Sequence, residues 1–267
     1  MSRSGPKRTE TVLPPKERQN RILELLQRRG RLSVRELTRE FEVSVPTLYK
    51  DVEALERDRR VETSYGEIRL PEHERYQHDF FERLKTNQSQ KTHIARRAAA
   101  LVRGGDTLFL DASTTTFYLC DALKRLDFQE LTIVTNSLFI PVEFLMHPAF
   151  RVIGIGGVLD RETAGFAPAH PERYLERLHG DLSFFSAAAV DPDLGVMDAY
   201  ILNDVRIKEL FFENADRTIC LADSSKFRNK GTVNWIGFDR LRTIVTDPGI
   251  DPAILARLRD QGVEVLL

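Results

Sequence analysis

Residues 108–116 spell Leu-Phe-Leu-Asp-Ala-Ser-Thr-Thr-Thr, an apolar run followed directly by hydroxyl side chains. This pattern predicts a short buried strand that leads into a helix over residues 117–124. The first turn of a helix leaves backbone N–H groups without partners, and their partial positive charge attracts anions. Because four hydroxyls lie at the same place, we expect the loop to bind the phosphate of a small metabolite. The alternative is a plain strand-to-helix turn in which Ser or Thr caps the helix.

Beyond this loop the chain alternates between apolar runs and helical patterns. The runs that predict strands are residues 107–110, 131–134, 151–155, 182–187, 217–222, 242–246 and 263–267. Helices are predicted between most of them, at residues 117–124, 141–146, 173–178, 205–213 and 252–261. This alternation predicts an α/β domain with a mostly parallel sheet and helices on both faces.

Small, hydroxyl or charged residues follow most of these predicted strands. Ligands of open parallel sheets bind outside the carboxyl ends of the strands, so we expect one shared polar pocket there. A turn explains any one of these residues, but not the whole set. The set comprises residues 111–116, Thr135-Asn136-Ser137, Gly156 and Gly157, Asp191, residues 223–226 and Thr246-Asp247. At the two glycines, the missing side chains would let the backbone approach a ligand.

The first seventy residues predict a winged helix-turn-helix behind a disordered tail. Residues 1–15 combine prolines and charges with little apolar content, as disordered segments do. Helices are predicted at residues 16–29, from the capping box at residues 33–36, and from Ser44 to about residue 57. Pro46 would lie in the first turn of the third helix, where its missing N–H costs nothing. Residues 60–70 then predict the hairpin that forms the wing.

In a winged helix-turn-helix the last helix enters the DNA major groove. Outward-pointing residues at its start would therefore read base edges, a cation on the second helix would contact phosphate, and an aromatic residue would flank the wing tip at Gly66. The residues predicted to contact DNA are Arg35, Pro46, Thr47, Tyr49, Lys50 and Tyr65. The alternative is a small helical module for protein contacts, whose charges are merely solvated.

Residues 71–103 predict a mostly helical connector, and residues 104–267 form the predicted effector domain, which holds the polar pocket described above.

The chain has 267 residues, of which 42% are hydrophobic and 30% charged, which is typical of a globular protein. We find no apolar run of about twenty residues and no apolar secretory segment, so we expect a cytoplasmic protein without membrane contact. Cys120 and Cys220 lie far apart in apolar segments, and neither a disulfide nor a metal site is expected.

The charge is distributed unevenly along the chain. Residues 1–70 hold 16 basic and 12 acidic residues, giving +4, and the remainder holds 23 basic and 28 acidic residues, giving −5. A basic N-terminal segment suggests a polyanionic partner for the N-terminal domain.

From about residue 16 to its end the chain resembles the DeoR family of bacterial transcription regulators. The resemblance rests on the helix-turn-helix at residues 32–55 and on four motifs in the family's order and spacing. These motifs are Leu110-Asp111-Ala112-Ser113-Thr114-Thr115, Val134-Thr135-Asn136-Ser137, Gly154-Ile155-Gly156-Gly157 and Leu221-Ala222-Asp223-Ser224-Ser225-Lys226-Phe227. Lys208 also falls where the family usually has a lysine at the start of a helix.

This resemblance implies a regulator, usually a repressor, of a carbohydrate-metabolism operon. Its C-terminal domain would look like sugar-phosphate isomerases and bind a phosphorylated sugar, and its homo-oligomers, dimers or tetramers, would bind operators in double-stranded DNA. By the same resemblance, Ser113, Thr114 and Thr115 would hold the phosphate. The residues that would line the rest of the pocket are Asp111, Asn136, Asp191, Lys208 and Lys226.

The sequence departs from the family pattern at three places. Tyr49 and Lys50 stand where the recognition helix usually has two arginines, which predicts an unusual operator. Gly66 stands alone where the wing usually has adjacent glycines. Residues 186–189, Ser-Ala-Ala-Ala, replace a segment that usually contains a glycine, and the added methyl groups would narrow the space near the ligand.

A second interpretation is a sugar-phosphate isomerase-like enzyme with an accessory domain. Asp111, Asp191, Asp223 and the lysines could move protons if a substrate carbon acid lay within hydrogen-bond reach. The chain has no evident catalytic pair, however, and an isomerase has no need of a helix-turn-helix. The sequence therefore predicts a ligand-responsive DNA-binding protein with no catalytic residues and no cofactor.

Overall fold

The computed structural model describes residues 13–29, 31–58, 60–64, 66–70, 80–198, 202–229 and 231–267. The chain divides into two compact units, Met1–His78 and Asp79–Leu267. Most of the predicted disordered tail, residues 71–79 of the predicted connector and Tyr65 lie outside the described residues. No helix in the described ranges is long and apolar enough to cross a membrane.

The first unit is a winged helix-turn-helix, as predicted. Its helices are α1 (Pro15–Arg29), α2 (Val34–Glu40) and α3 (Val45–Arg57), and its strands are β1 (Arg31–Ser33), β2 (Glu62–Ser64) and β3 (Glu67–Arg69). The strands form an antiparallel sheet in the order β1-β3-β2, with β2 and β3 as the wing hairpin. Ser33 and Glu36 form the predicted capping box at α2, and Ser44 caps α3.

A buried ion pair fixes the recognition helix α3 against α1. Arg18 Nε lies 2.5 Å from Asp51 Oδ2, and both side chains are 4% exposed. Gln19 also donates to Asp51 at 3.3 Å. Leu48 and Val52 of α3 add apolar contacts to the core of this unit. The outer face of α3 is therefore held in one orientation by groups on its inner face.

The second unit is built on a seven-stranded parallel sheet with the order β15-β14-β12-β9-β4-β5-β6. Its strands are β4 (Thr107–Leu110), β5 (Leu131–Thr135), β6 (Phe150–Gly154), β9 (Gly180–Ser186), β12 (Ala215–Leu221), β14 (Thr243–Val245) and β15 (Glu264–Leu266). All seven coincide with apolar runs that predicted strands. Every neighbouring pair is parallel, so the carboxyl ends lie along one edge.

Helices cover both faces of this sheet, which confirms the predicted fold class. They are α4 (Phe80–Lys85), α5 (Gln88–Ala99), α6 (Thr114–Lys124), α7 (Ile140–Phe144), α8 (Glu172–Leu175), α9 (Leu202–Glu213) and α10 (Pro252–Asp260). Side chains of β4 alternate between two cores: Leu108 packs with Ile94 and Leu119, whereas Phe109 stacks on Phe211 at 4.9 Å. The described helices of the predicted connector, α4 and α5, belong to this unit.

Two small antiparallel additions were not predicted from the sequence. One is the hairpin of β7 (Val158–Asp160) and β8 (Gly165–Ala167), and the other is the sheet of β10 (Ala189–Asp191), β11 (Gly195–Asp198) and β13 (Val233–Ile236). Asp191 therefore ends β10, and the parallel strand before it ends at Ser186. The chain turns back after Asp191 because Gly195, at φ +103°, adopts a backbone conformation that side chains disfavour.

Candidate functional site

The hydroxyl loop after β4 caps α6 and leaves two backbone amides in the first turn of this helix without an intrahelical acceptor. Ser113 is the N-cap residue, and its Oγ accepts a hydrogen bond from Thr116 N at 3.2 Å. Thr116 Oγ1 donates to Asp111 at 2.9 Å. The capping alternative thus describes Ser113 and Thr116. The amides of Thr114 and Thr115, in the first turn, have no intrahelical acceptor, and both side chains are buried.

Asp111 anchors this loop to the neighbouring strand. Its Oδ1 accepts from Ser113 N at 3.2 Å, and its Oδ2 accepts from Ser186 N, at the end of β9, at 3.0 Å. Thr115 Oγ1 lies 3.4 Å from Ser186 Oγ. The ends of β4 and β9 are therefore joined directly beneath the free amides of α6.

Lys208 of α9 is surrounded by acceptors, an arrangement that we name the carboxylate cluster. Its Nζ lies 3.0 Å from Asp198 Oδ2, 3.1 Å from Asp204 Oδ2 and 3.6 Å from Asp111 Oδ2. It also donates to the Ser186 carbonyl at 3.1 Å. An ammonium group has three donors, and here all three are used by groups of the protein.

Charges in the carboxylate cluster act strongly because it is buried. Burial raises the pKa of Asp111 and of Asp198, although Lys208 opposes that rise in both. The three carboxylates outweigh burial at Lys208 and raise its pKa. Three carboxylates around one ammonium give the cluster a formal excess of two negative charges.

A second group, which we name the cation cluster, lies at the end of β12. It contains Lys226, Lys91 of α5, Arg83 of α4 and the carboxylate of Asp223, which interact electrostatically with one another. Asn87, the N-cap residue of α5, donates to Asp223 Oδ1 at 3.1 Å. Arg83 also donates to the Glu162 carbonyl at 2.8 Å. The two lysines alone outnumber the one carboxylate, so the cluster is positively charged.

The two lysines of the cation cluster are held differently. Lys226 is half-buried, its ammonium group has no hydrogen-bond or ion-pair partner among the described residues, and burial lowers its pKa. Lys91 is 4% exposed and donates to the carbonyls of Arg83 and Thr86, so one of its three donors remains. Burial lowers the pKa of Lys91 to about 8. Each lysine keeps a donor for a ligand.

The cation and carboxylate clusters are neighbours. Lys226 interacts electrostatically with Asp198 and Lys208 of the carboxylate cluster as well as with Asp223. In the sheet, β9 alone separates β12 from β4, which places their ends about 10 Å apart. A positive and a negative cluster thus lie side by side at the carboxyl edge.

The hairpin β7–β8 packs over the end of β5. Phe166 N donates to the Asn136 carbonyl at 2.7 Å, and Asn136 Nδ2 donates to the Phe166 carbonyl at 3.2 Å. Asn136 Oδ1 is buried and has no hydrogen-bond partner among the described residues. An unpaired buried acceptor is costly, and this atom remains available to accept a hydrogen bond.

Of the two predicted glycines and Asp191, Gly157 and Asp191 have local structural roles. A Cβ on Gly157 would lie 2.4 Å from Pro168 N, so its missing side chain admits the end of β8. Gly156 faces open space. Asp191 Oδ1 accepts from the amides of Asp193 and Leu194 and so caps the turn between β10 and β11.

Sequence reasoning missed several residues that the structure brings into the site. They are Asn87, Lys91, Asp198 and Asp204. Two of these left a signal: Asp204 precedes Lys208 by one helical turn, and Lys91 shares the buried stripe of α5 with Ile94 and Ala98. A lysine on an apolar helical stripe needs buried partners. No cluster of metal-binding side chains occurs in the described ranges, and both cysteines are buried free thiols.

In the first unit, most of the predicted DNA-contacting residues are exposed. Arg35, Pro46, Tyr49 and Lys50 are on the surface, and neither Arg35 nor Lys50 has an acidic partner among the described residues. Thr47 is half-buried, with its hydroxyl 2.8 Å from Ser44 Oγ. Two exposed cations, Arg35 on α2 and Lys50 on α3, together with Tyr49 on α3, suit contacts with a phosphate backbone and base edges.

Comparison with known families assigns both units. The DeoR C-terminal sensor domain matches residues 86–248, which is more than half of the chain, and an HTH domain matches residues 18–66.

Relatives match over nearly the whole length. The uncharacterised HTH-type transcriptional regulator YulB of Bacillus subtilis is 34% identical, over 93% of this chain and 95% of its own. The HTH-type transcriptional regulator GolR of Listeria innocua is 29% identical, and the glycerol-3-phosphate regulon repressor of Escherichia coli is 27% identical. Each of these alignments covers 94% of this chain and 98% of the relative. Among solved structures, ribose 5-phosphate isomerase A of Neisseria gonorrhoeae aligns with a TM-score of 0.38 at 14% identity (51% and 52%), which is too low to bear on function. The chain belongs to the DeoR family of helix-turn-helix transcriptional regulators.

Proposed function

We propose that the protein is a repressor of a carbohydrate-metabolism operon and that a phosphorylated sugar controls its binding to DNA. The observation that carries the proposal is the pair of neighbouring clusters at the carboxyl edge, one positively charged through Lys91 and Lys226 and one with two excess negative charges. A sugar phosphate is a dianion at one end and a row of hydroxyl donors at the other. Its two ends match the two clusters.

The residues divide into ligands and supports. The phosphate lies on Lys226, the free donor of Lys91 and the amides and hydroxyls of Thr114 and Thr115. The sugar hydroxyls donate to Asn136 Oδ1 and to carboxylates of the carboxylate cluster. Lys208 is a positioning residue, because its donors are already taken by Asp198, Asp204 and the Ser186 carbonyl.

We propose further that the site binds without catalysing. A general base must be free to accept a substrate proton. Asp111, a carboxylate beside the free amides, already accepts from Ser113, Thr116 and Ser186 and lies near Lys208. Incubation with a bound sugar phosphate should give no isomerised product by NMR.

The direct experiment is a comparison of sugar phosphates with the same sugars unphosphorylated in thermal unfolding. At a hundredfold excess over its Kd, a ligand stabilises the native state by about 2.7 kcal/mol. We expect a phosphorylated sugar to raise the unfolding temperature and its free sugar to leave it unchanged. Equal shifts with both compounds would contradict a phosphate site.

The proposal includes a homo-oligomer, a dimer or tetramer, acting in the cytoplasm on double-stranded operator DNA. Repeated DNA half-sites match symmetric protein assemblies. Sedimentation of the full chain with and without operator DNA measures the number of copies bound, and a monomer on the DNA would contradict this part.

Lys50→Ala is expected to weaken DNA binding at all sequences and to reduce the salt dependence of log Kd by about one. The reason is the loss of one exposed, unpaired cation from the recognition helix. The control is Arg21→Ala on α1, which removes an exposed cation already paired with Glu24. Fluorescence anisotropy over a series of salt concentrations measures both variants. An unchanged salt slope for Lys50→Ala would remove this residue from the interface.

Effector affinity is expected to fall as pH rises through about 8, where Lys91 loses its proton. The phosphate itself is already dianionic there, because its second pKa is about 6. Loss of one proton can weaken binding by up to about tenfold per pH unit. Calorimetric titration at several pH values measures the effect. Lys91→Arg, which stays charged, should flatten the profile, and a flat wild-type profile would contradict the assignment.

A further inference from the structure

A cavity of about 500 Å³ lies in the second unit, apart from the clusters at the strand ends. One wall is formed by α4 and α5 and the other by α6, with Glu143 of α7 at one side. This volume lies within the range of cavities that hold small molecules. Nothing in the proposed effector function uses it.

The lining of the cavity is amphipathic. Leu84, Ala95, Phe117 and Ala122 provide apolar surface, and polar side chains of α5 lie along one side. The polar α5 residues that line it, Gln88, Thr92 and Arg96, are spaced by four and so occupy one helical face. An occupant must therefore have an apolar body with a polar or charged group near α5.

The charges of the lining indicate the sign of that group. Five charged side chains line the cavity, and four of them have an oppositely charged partner: Lys85 with Glu82, Asp121 with Arg125, and Glu143 with Lys124. Arg96 is exposed and has no acidic partner among the described residues. The lining thus has one uncompensated positive charge.

A second copy of the chain fits this lining poorly. A two-fold interface brings the same patch from both copies together, so an acid that compensates Arg96 would have to come from the partner's copy of that patch. Both acids of the lining, Asp121 and Glu143, already have cationic partners. A small monoanion meets the single free charge.

We propose that this cavity is a second ligand site, which takes a small amphipathic monoanion with its apolar body between α5 and α6 and its anionic group on Arg96. Both walls begin at the effector site, since Asn87 is the N-cap residue of α5 and Ser113 that of α6. The second site is thus built on the same two helices as the proposed phosphate site, without sharing its ligand groups.

The test is a fluorescence titration of the full-length protein with anilinonaphthalene sulfonate, which joins a fused aromatic body to one negative charge. We expect saturable binding that octanoate displaces more strongly than octanol. Arg96→Gln should weaken the probe about threefold to fivefold, as for loss of one exposed charge pair. Thr92→Phe fills the cavity from its half-buried wall and should weaken the probe by at least about tenfold.

Two controls separate this site from its neighbours. Arg97→Gln removes the adjacent exposed cation of α5, which does not line the cavity, and should bind the probe as the wild type does. The Lys226→Met variant should also bind the probe as the wild type does. Weaker probe binding by this variant would place the probe in the effector site and overturn the proposal. Wild-type affinity in both Arg96→Gln and Thr92→Phe would overturn it too. The proposal would also be overturned if the wild type failed to bind the probe and the Thr92→Phe substitution dissociated the oligomer. The cavity face would then be an interface with a second copy of the chain.

Discussion

Replacing Lys208 with methionine is expected to lower the free energy of unfolding by about 3–5 kcal/mol, the usual cost of removing one partner from a buried ion pair. The change leaves the carboxylates of Asp111, Asp198 and Asp204 around a neutral side chain of similar length. Two of these carboxylates are buried, so water compensates them poorly. Urea unfolding followed by circular dichroism measures the loss.

The pH dependence of this loss is a further check. Burial raises the folded-state pKa of Asp111 and Asp198, and loss of Lys208 raises both further. A carboxyl whose pKa is raised by folding stabilises the protein at low pH, and that contribution disappears as pH rises through the folded pKa. Lys208→Met should therefore be closest to the wild type in acid and least stable near neutral pH.

The matched control is the same substitution at the other lysine of the pocket, Lys226→Met. Lys226 has no ion-pair partner among the described residues, and its pKa is lowered by burial, so its charge contributes no stabilising pair. We expect this variant to be as stable as the wild type or slightly more so. Equal losses of stability in Lys208→Met and Lys226→Met would contradict the assignment of Lys208 as a positioning residue and Lys226 as a phosphate-binding residue.

Lys226→Met is expected to weaken binding of the phosphorylated effector about tenfold to a hundredfold. A hydrogen bond to a charged group contributes about 1.5–3 kcal/mol, and each 1.4 kcal/mol is a factor of ten. The loss should appear with the sugar phosphate and be absent for DNA binding without ligand. Calorimetry gives the effector Kd, and anisotropy gives the DNA Kd.

Lys226→Arg is the second variant for this prediction. It keeps the positive charge but changes a compact ammonium into a planar fork, so it should retain part of the affinity. A Lys226→Met protein that binds the effector as tightly as the wild type would move the phosphate away from the cation cluster.

The parallel sheet was predictable because its strands are continuous apolar runs. The strand around Phe109, for example, is buried on both faces, so its consecutive residues are all apolar. The wing and the caps were predictable for a different reason: Ser33, Ser44 and Pro46 act through their immediate neighbours in sequence. Both kinds of signal are local.

The unpredicted parts depend on contacts that are distant in sequence. The hairpin β7–β8 is held by Asn136, about thirty residues earlier, and its own strands are three residues long. The roles of the two lysines likewise depend on partners. Lys208 and Lys226 are equally plausible phosphate ligands in the sequence, and only the positions of Asp198 and Asp204 distinguish them.

The central claim is that a phosphorylated sugar at the carboxyl edge changes the affinity of this protein for its operator. The decisive measurement is the Kd for a DNA fragment selected by the protein itself, with and without the sugar phosphate that stabilises it in thermal unfolding. We predict that the sugar phosphate changes this Kd, that its unphosphorylated sugar does not, and that Lys226→Met requires about tenfold to a hundredfold more sugar phosphate for the same response. An operator Kd that stays constant while the sugar phosphate saturates the protein would contradict the account.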